Sequence, residues 1–239
     1  MTESNAANPV TVVTVDGPSG SGKGTLALHL ARRLGWHYLD SGALYRILAH
    51  AAMAEGLLLG AEAESELAEL AGRLRIDFRL PEPESPLGVR VEVDGVDCTD
   101  AIRAESVSQG ASKIAALPLV RQSVLALQHR FRQPPGLVTD GRDMGTVVFP
   151  DAGLKLFLDA SAEERAQRRH KQLKDKGSSV SLRALLASIR ERDERDRGRA
   201  VAPLRPAPDA IVIDSTDMPI DEVFDMVWQL VVDRGLAQS

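Results

Sequence analysis

The sequence is poor in the features that mark secreted and membrane proteins. Its 239 residues contain one cysteine, Cys98, so no intrachain disulfide can form, which is typical of a reducing compartment. No stretch approaches the roughly 18 apolar residues of a membrane span. Residues 1–8 lack the basic flank and apolar centre of a signal peptide and predict a mobile tail. We therefore expect a cytoplasmic protein without a membrane partner.

The sequence also has fewer basic than acidic residues. It contains 29 Lys and Arg and 34 Asp and Glu, which gives a net charge of −5. That balance argues against general nucleic-acid binding. Residues 164–199 reverse it locally, with 12 Lys and Arg and only 6 Asp and Glu. A cationic segment on an acidic protein favours a small polyanionic ligand, although a nucleic-acid-binding arm would show the same excess. We expect no nucleic-acid partner.

A glycine-rich nonapeptide follows the first apolar run. The β-branched segment 10–15 predicts a buried strand, and leucines at helical spacing predict a helix over 26–34. Between them lie Gly17, Pro18, Ser19, Gly20, Ser21, Gly22, Lys23, Gly24 and Thr25. This spacing and context predict a loop that cradles phosphates, with Lys23 reaching the β- and γ-phosphates of a nucleoside triphosphate. Because Gly24 follows Lys23, either Ser21 or Thr25 is the candidate hydroxyl for a Mg²⁺ ion.

Polar side chains follow two further predicted strands, over 36–39 and 137–139. They are Asp40, Ser41, Arg46, Asp140, Arg142 and Asp143. Ligands of open α/β sheets bind at the carboxyl ends of the strands, where an arginine can hold a second phosphate with two hydrogen bonds. Asp140 is a candidate to approach the Mg²⁺ of a nucleotide, through water. Capping of a helix predicted over 43–55 explains Asp40 and Ser41 equally well.

The remaining pattern predicts an α/β fold with a parallel five-stranded sheet and helices on both faces. Two segments extend from this core. Apolar and charged residues alternate on both sides of a proline-rich tip at 81–88, and Asp94-Gly95 predicts a further tight turn. This pattern predicts a small antiparallel insert. A helix from Ser181 predicts the local pairs Glu191–Arg195 and Asp193–Arg197, which leave Arg192 and Arg199 for a ligand. The expected organisation is a discontinuous core over 9–73, 101–165 and 200–239, a β-insert over 74–100 and an Arg-rich lid over 166–199.

Four motifs are similar to those of the bacterial cytidylate kinase family of nucleoside monophosphate kinases. They are DGPSGSGKGT at 16–25, DSGALYR at 40–46, TDGRDMGTVVFPDA at 139–152 and ERDERDRGRAVAPL at 191–204. The resemblance covers nearly the whole chain. It implies a P-loop three-layer fold and the transfer of the γ-phosphoryl group of ATP to CMP or dCMP, with Mg²⁺, in pyrimidine nucleotide metabolism. We expect a monomer.

The resemblance also implies roles for individual residues. The loop from Gly17 to Thr25 would bind ATP. The expected CMP-binding residues are Ser41, Arg46 and Arg142 near the phosphate, Ser112, Arg121 and Asp143 at the cytosine and sugar, and Arg192, Asp196 and Arg199 on the lid. The expected catalytic residues are Lys23, Arg142, Arg192 and Arg199.

Three other functions are compatible with parts of this sequence. A shikimate- or adenylate-kinase-like enzyme would carry a similar loop but a different acceptor. A GTP-binding switch usually reads guanine with an Asn-Lys-x-Asp motif, and the only asparagines here are Asn5 and Asn8. The third alternative makes 166–199 a nucleic-acid-binding arm.

Overall fold

The computed structural model describes residues 10–79, 89–175, 177 and 179–237, so the predicted tail and the 81–88 tip lie outside it. The strands of this part of the chain are β1 (Val12–Asp16), β2 (His37–Asp40), β3 (Ile76–Arg79), β4 (Arg90–Val93), β5 (Val96–Asp97), β6 (Leu137–Gly141), β7 (Leu154–Asp159) and β8 (Ile211–Asp214). Its α-helices are α1 (Lys23–Leu34), α2 (Ser41–Ala54), α3 (Glu64–Arg73), α4 (Glu105–Ile114), α5 (Pro118–Arg130), α6 (Ala162–Asp175), α7 (Leu182–Arg197) and α8 (Ile220–Asp233).

Five of the strands form one parallel sheet in the order β2-β6-β1-β7-β8. The central strand β1 is buried along its length and rich in valine, as a strand covered on both faces requires. In the register of the sheet, Asp16 is aligned with Gly141 and Asp40 with Asp140. The carboxyl ends of neighbouring strands therefore bring these side chains to one edge of the sheet.

Helices cover both faces of the sheet and complete three layers. Helices α1 and α8 pack on one face around the buried Val13, Val15 and Leu158. Helices α2 to α5 form the larger core on the other face, around Val12 and Leu39. This arrangement confirms the predicted three-layer α/β fold. None of the described helices has both the length and the apolar character that crossing a membrane requires.

Two helices begin earlier than the apolar spacing predicts. Helix α1 begins at Lys23 rather than near residue 26, because Gly22 has a φ of 93° and turns the loop directly into the helix. Helix α2 begins at Ser41, and the side chain of Asp40 caps it by accepting a 2.9 Å hydrogen bond from the amide of Ala43. Both early starts place the helix N-termini at the carboxyl edge of the sheet.

The predicted β-insert is present as an antiparallel sheet of β3, β4 and β5. Its second turn uses Asp94 and Gly95, which have φ values of 50° and 81°. Phe78 on β3 packs edge to face against Phe131 at a centroid distance of 5.4 Å. This contact holds the insert against the end of α5, on the α2–α5 side of the central sheet.

Candidate active site

The glycine-rich loop depends on backbone conformations that only glycine adopts easily. Gly17, Gly20 and Gly22 have φ values of 151°, 82° and 93°. A Cβ atom at position 17 would lie 2.1 Å from the carbonyl oxygen of Leu158, so the loop approaches β7 too closely for any other residue. The side chain of Lys23 lies back over the loop, where Nζ donates a 3.1 Å hydrogen bond to the carbonyl of Pro18.

The environment of Lys23 disfavours the charged form of its side chain. Burial lowers the pKa of Lys23 to about 7, and the nearby Arg142 lowers it further. Burial likewise raises the pKa of Asp140 to about 6, assisted by the charge of Asp40. An anionic ligand over the loop would reverse the electrostatic penalty on Lys23, because opposite charge favours the ammonium form.

Asp140 lies directly beside the phosphate loop. A Cβ atom at Gly24 would lie 3.8 Å from both of its carboxylate oxygens, and the hydroxyl of Tyr38 donates a 2.8 Å hydrogen bond to Oδ1. Of the two candidate hydroxyls, that of Ser21 is buried and lies 3.2 Å from where a Cβ at position 17 would stand. Thr25 is exposed. Ser21 therefore points under the loop, and Thr25 is the freer hydroxyl.

The start of α2 and the start of α5 contribute a second set of polar groups. Arg46 donates a 2.6 Å hydrogen bond to Asp40, and the hydroxyl of Ser41 accepts a 2.8 Å hydrogen bond from Gln128. A buried ion pair joins Arg121 to Asp143. Arg46, Ser41 and Arg121, which are predicted to hold a monophosphate nucleotide, are thus fixed by buried or partly buried partners without a ligand.

Helix α7 places a carboxylate at the centre of an arginine cluster. Asp196, only 1% exposed, accepts a 2.8 Å hydrogen bond from Nε of Arg142 and a further bond from Arg199. The charges of these arginines outweigh burial and hold the pKa of Asp196 below its usual range. Asp196 therefore ties helix α7 to the segment that follows β6.

Arg192, on the same helix, has no ion-pair partner among the described residues. Burial lowers its pKa to about 10, and the neighbouring Arg142 lowers it further. The Nε groups of Arg46, Arg192 and Arg199 are buried and lack a hydrogen-bond partner within the part of the chain that the structure describes. Because unpaired buried donors are costly, these groups fit a ligand that brings several anionic oxygens.

Two sequence predictions about α7 are wrong. Asp193 does not pair with Arg197 but forms a buried ion pair with Arg165 on α6. Arg199 is not free of acid partners, since Asp196 lies three residues before it. The prediction of a Glu191–Arg195 pair is confirmed, at 2.8 Å.

Ser112 lies apart from the phosphate-facing contacts. Its hydroxyl is buried and accepts a 3.0 Å hydrogen bond from Arg195 on α7. The structure thus brings Ser112 to helix α7, whereas Asp196 on the same helix contacts Arg142 after β6.

Sequence reasoning missed Asp16 and Tyr38 as parts of the site. Both oxygens of Asp16 accept backbone hydrogen bonds, 2.9 Å from Met144 and 2.8 Å from Gly145. Burial nevertheless raises the pKa of Asp16 to about 7. These bonds fix the turn that immediately follows Arg142 and Asp143. An aspartate at the end of a buried strand was the available signal.

A family model described as cytidylate kinase matches residues 13–233. The chain belongs to the cytidylate kinase family. A cytidylate kinase of Stutzerimonas stutzeri is 56% identical over 96% of this chain and 98% of its own length. One of Aeromonas salmonicida is 58% identical over 90% of this chain and 91% of its own length. Cytidylate kinases are nucleoside monophosphate kinases, and this chain is therefore a transferase.

Likeness to some solved structures is more distant. The crystal structure of TT1252 from Thermus thermophilus aligns with 95% of this chain and 98% of its own, at 21% identity and a TM-score of 0.45. The assignment to the cytidylate kinase family rests on the family model and the sequence relatives.

Proposed function

We propose that the protein transfers the γ-phosphoryl group of ATP to CMP or dCMP, producing ADP and CDP or dCDP. The observation that carries this proposal is the arginine cluster around Asp196. Asp196 bonds to Arg142 and Arg199, and the charges of Arg142 and Arg192 act on Lys23 of the phosphate loop. A loop for one phosphate chain and a separate set of guanidinium groups for another is the arrangement that phosphoryl transfer between two nucleotides needs.

The proposed catalytic residues are Lys23, Arg142, Arg192 and Arg199, which would neutralise the charge on the equatorial oxygens of the transferred group. The pKa values of Lys23 and Arg192 indicate crowding, because burial and repulsion by neighbouring cations disfavour their charged forms. That repulsion is relieved when an anion lies between them. An acceptor that is already an anion needs no general base, which agrees with the absence of histidine from these contacts.

The proposed CMP site lies along α2, α5 and the segment after β6. Ser41, Arg46 and Arg142 would hold the phosphate, and Ser112, Arg121 and Asp143 would hold the cytosine and the sugar. The buried Arg121–Asp143 pair presents a donor and an acceptor side by side, which suits the polar edge of a pyrimidine. Asp196 would act mainly by holding Arg142 and Arg199.

We propose that Mg²⁺ enters with the nucleotide and is held by Thr25 and, through water, by Asp140. Mg²⁺ usually keeps several waters and takes one or two protein groups beside the phosphates. The position of the Asp140 carboxylate beside Gly24 supports this assignment. Ser21, whose hydroxyl is turned under the loop, is the weaker candidate. Binding of ATP itself would involve the loop Gly17–Thr25.

An acceptor panel tests the proposed function. The purified protein is assayed with Mg-ATP and with CMP, dCMP, UMP or AMP, and nucleotide products are separated by chromatography. We expect CMP and dCMP to be the preferred acceptors. A strong preference for AMP would place the protein in another class of monophosphate kinase. The monomeric state, the cytoplasmic location and the division into core, insert and lid stay predictions.

A further inference from the structure

A single buried guanidinium joins three segments around the phosphate loop. Nε of Arg165, on α6, donates a 2.9 Å hydrogen bond to the carbonyl of Ala160. Nη1 donates to the carbonyl of Ser19 at 3.0 Å and to Oδ1 of Asp193 at 3.1 Å, and Nη2 donates to the other carboxylate oxygen of Asp193. The Arg165 side chain is only 2% exposed, so these bonds are made away from solvent.

The loop is also packed against this residue sterically. A Cβ atom at Gly20 would lie 3.3 Å from Cβ of Arg165, and the φ of Gly20 is 82°. The phosphate loop therefore meets α6 at Arg165 both through a backbone hydrogen bond and through direct packing.

The other end of the contact lies on helix α7, which carries Arg192 and Asp196. Asp193 directly follows Arg192 on α7 and precedes Asp196 by three residues, so Asp193 and Asp196 lie on adjacent turns. Both carboxylates are buried, Asp193 against Arg165 and Asp196 against Arg142 and Arg199. Helix α7 is thus fixed at two points, one on the phosphate-loop side and one on the side of β6.

We propose that Arg165 is a positioning residue that couples the phosphate loop to α7 and so sets the position of Arg192 and Arg199 relative to ATP. The inference rests on the proposed phosphoryl transfer. A bidentate guanidinium–carboxylate pair resists rotation of α7, and the Ser19 bond fixes that pair to the loop. Local pairing with Arg197 could not do this, because both partners would lie on one helix.

A double-mutant cycle on turnover tests the coupling. The single variants Arg165→Met and Arg199→Ala and their double variant are compared by kcat, by the KM values for ATP and CMP, and by Tm. We expect Arg165→Met to lower kcat about 10²-fold with a small change in KM, because misplacement by about 1 Å has that effect on transition-state contacts. Arg199→Ala should then lower kcat far less in the Arg165→Met background than in the wild type.

Arg132, which is partly exposed, supplies a control at the opposite end of the strands. It also joins three segments, donating 2.8 Å hydrogen bonds to the carbonyl of Val10 and to Asp151. Arg132→Met should lower Tm, leave kcat near the wild-type value and leave the effect of Arg199→Ala unchanged. Arg165→Lys, which keeps the charge but not the forked geometry, serves if Arg165→Met does not fold.

A readout without turnover separates this inference from the proposed function. A non-hydrolysable ATP analogue should slow hydrogen exchange in α7 in the wild type and in Arg132→Met, but not in the Arg165 variant. Equal slowing in the Arg165 variant, or an undiminished effect of Arg199→Ala on kcat in its background, would overturn the coupling. Failure of the wild type to phosphorylate CMP would overturn the proposed function, and the exchange experiment would still decide the role of Arg165.

Discussion

Lys23 should take up a proton when ATP binds above neutral pH. In the free protein its pKa is lowered from 10.5 to about 7, first by burial and then by Arg142. A polyphosphate in contact with Lys23 supplies negative charge, which favours the ammonium form. A return of the pKa of Lys23 towards 10.5 is a shift of about 3 pKa units, or about 4 kcal/mol. Below pH 7 Lys23 is charged in both states and contributes no pH dependence.

The sign of the effect follows from proton counting. Between the free and bound pKa values, the complex holds one more proton than the separate protein and nucleotide do. Raising the pH through that window therefore weakens Mg-ATP binding, by up to about tenfold per pH unit. Other groups change this slope only if their own pKa values shift on binding, and Asp140, at about 6, titrates below the window.

Calorimetry measures the uptake directly. Mg-ATP is titrated into the protein without acceptor at about pH 8.5, in two buffers with different ionisation enthalpies, and we expect an uptake approaching about one proton per ATP. Lys23→Met is the control and should show none. Asp140→Asn should preserve the uptake. A wild-type uptake below about 0.2 protons at that pH, or an uptake that survives in Lys23→Met, would refute the account of Lys23.

Two further changes follow from particular contacts. Gly17→Ala should lower Tm and weaken ATP binding at least about tenfold, because its Cβ would lie 2.1 Å from the carbonyl oxygen of Leu158. Gly72, on α3, has open space around it, so Gly72→Ala is the control and should leave Tm unchanged or raise it. Arg199→Ala should lower kcat about 10²-fold or more and change KM little, if this arginine acts in the transition state. The exposed Arg183, on helix α7, which ends just before Arg199 in the chain, is its control, and a rise in KM alone for Arg199→Ala would indicate uniform binding instead.

The architecture was predictable because local sequence patterns determine it. Valine-rich runs and leucines at helical spacing identified the five core strands and most helices, and Asp94–Gly95 marked the turn of the insert. The missed helix starts at Lys23 and Ser41 have a physical reason. Apolar periodicity begins only where a helix first contacts the core, whereas its first turn here faces the ligand edge of the sheet.

The partners of the charged residues were not predictable in the same way. Spacing along α7 favours an Asp193–Arg197 pair, yet Asp193 pairs with Arg165, 28 residues away. The buried pair prevails because a desolvated carboxylate requires a charged donor, while an exposed i,i+4 pair adds only a few tenths of a kcal/mol. Tyr38 was missed for the same reason, since its contact with Asp140 spans 102 residues.

The predicted anion site contains carboxylates as well as cations, and the two are compatible. Each acid holds a particular cation: Asp40 holds Arg46, Asp143 holds Arg121, and Asp196 holds Arg142 and Arg199. Without these acids the guanidinium groups would repel one another and lose their fixed orientation before substrate binding. The carboxylates neutralise part of the positive charge, but they fix the orientation of the guanidinium groups. Fixed orientation is what lets these groups stabilise a transition state more than a ground state. Arg192 has no such partner among the described residues. Its charged form is therefore the one that a phosphoryl group between the two nucleotides should stabilise most.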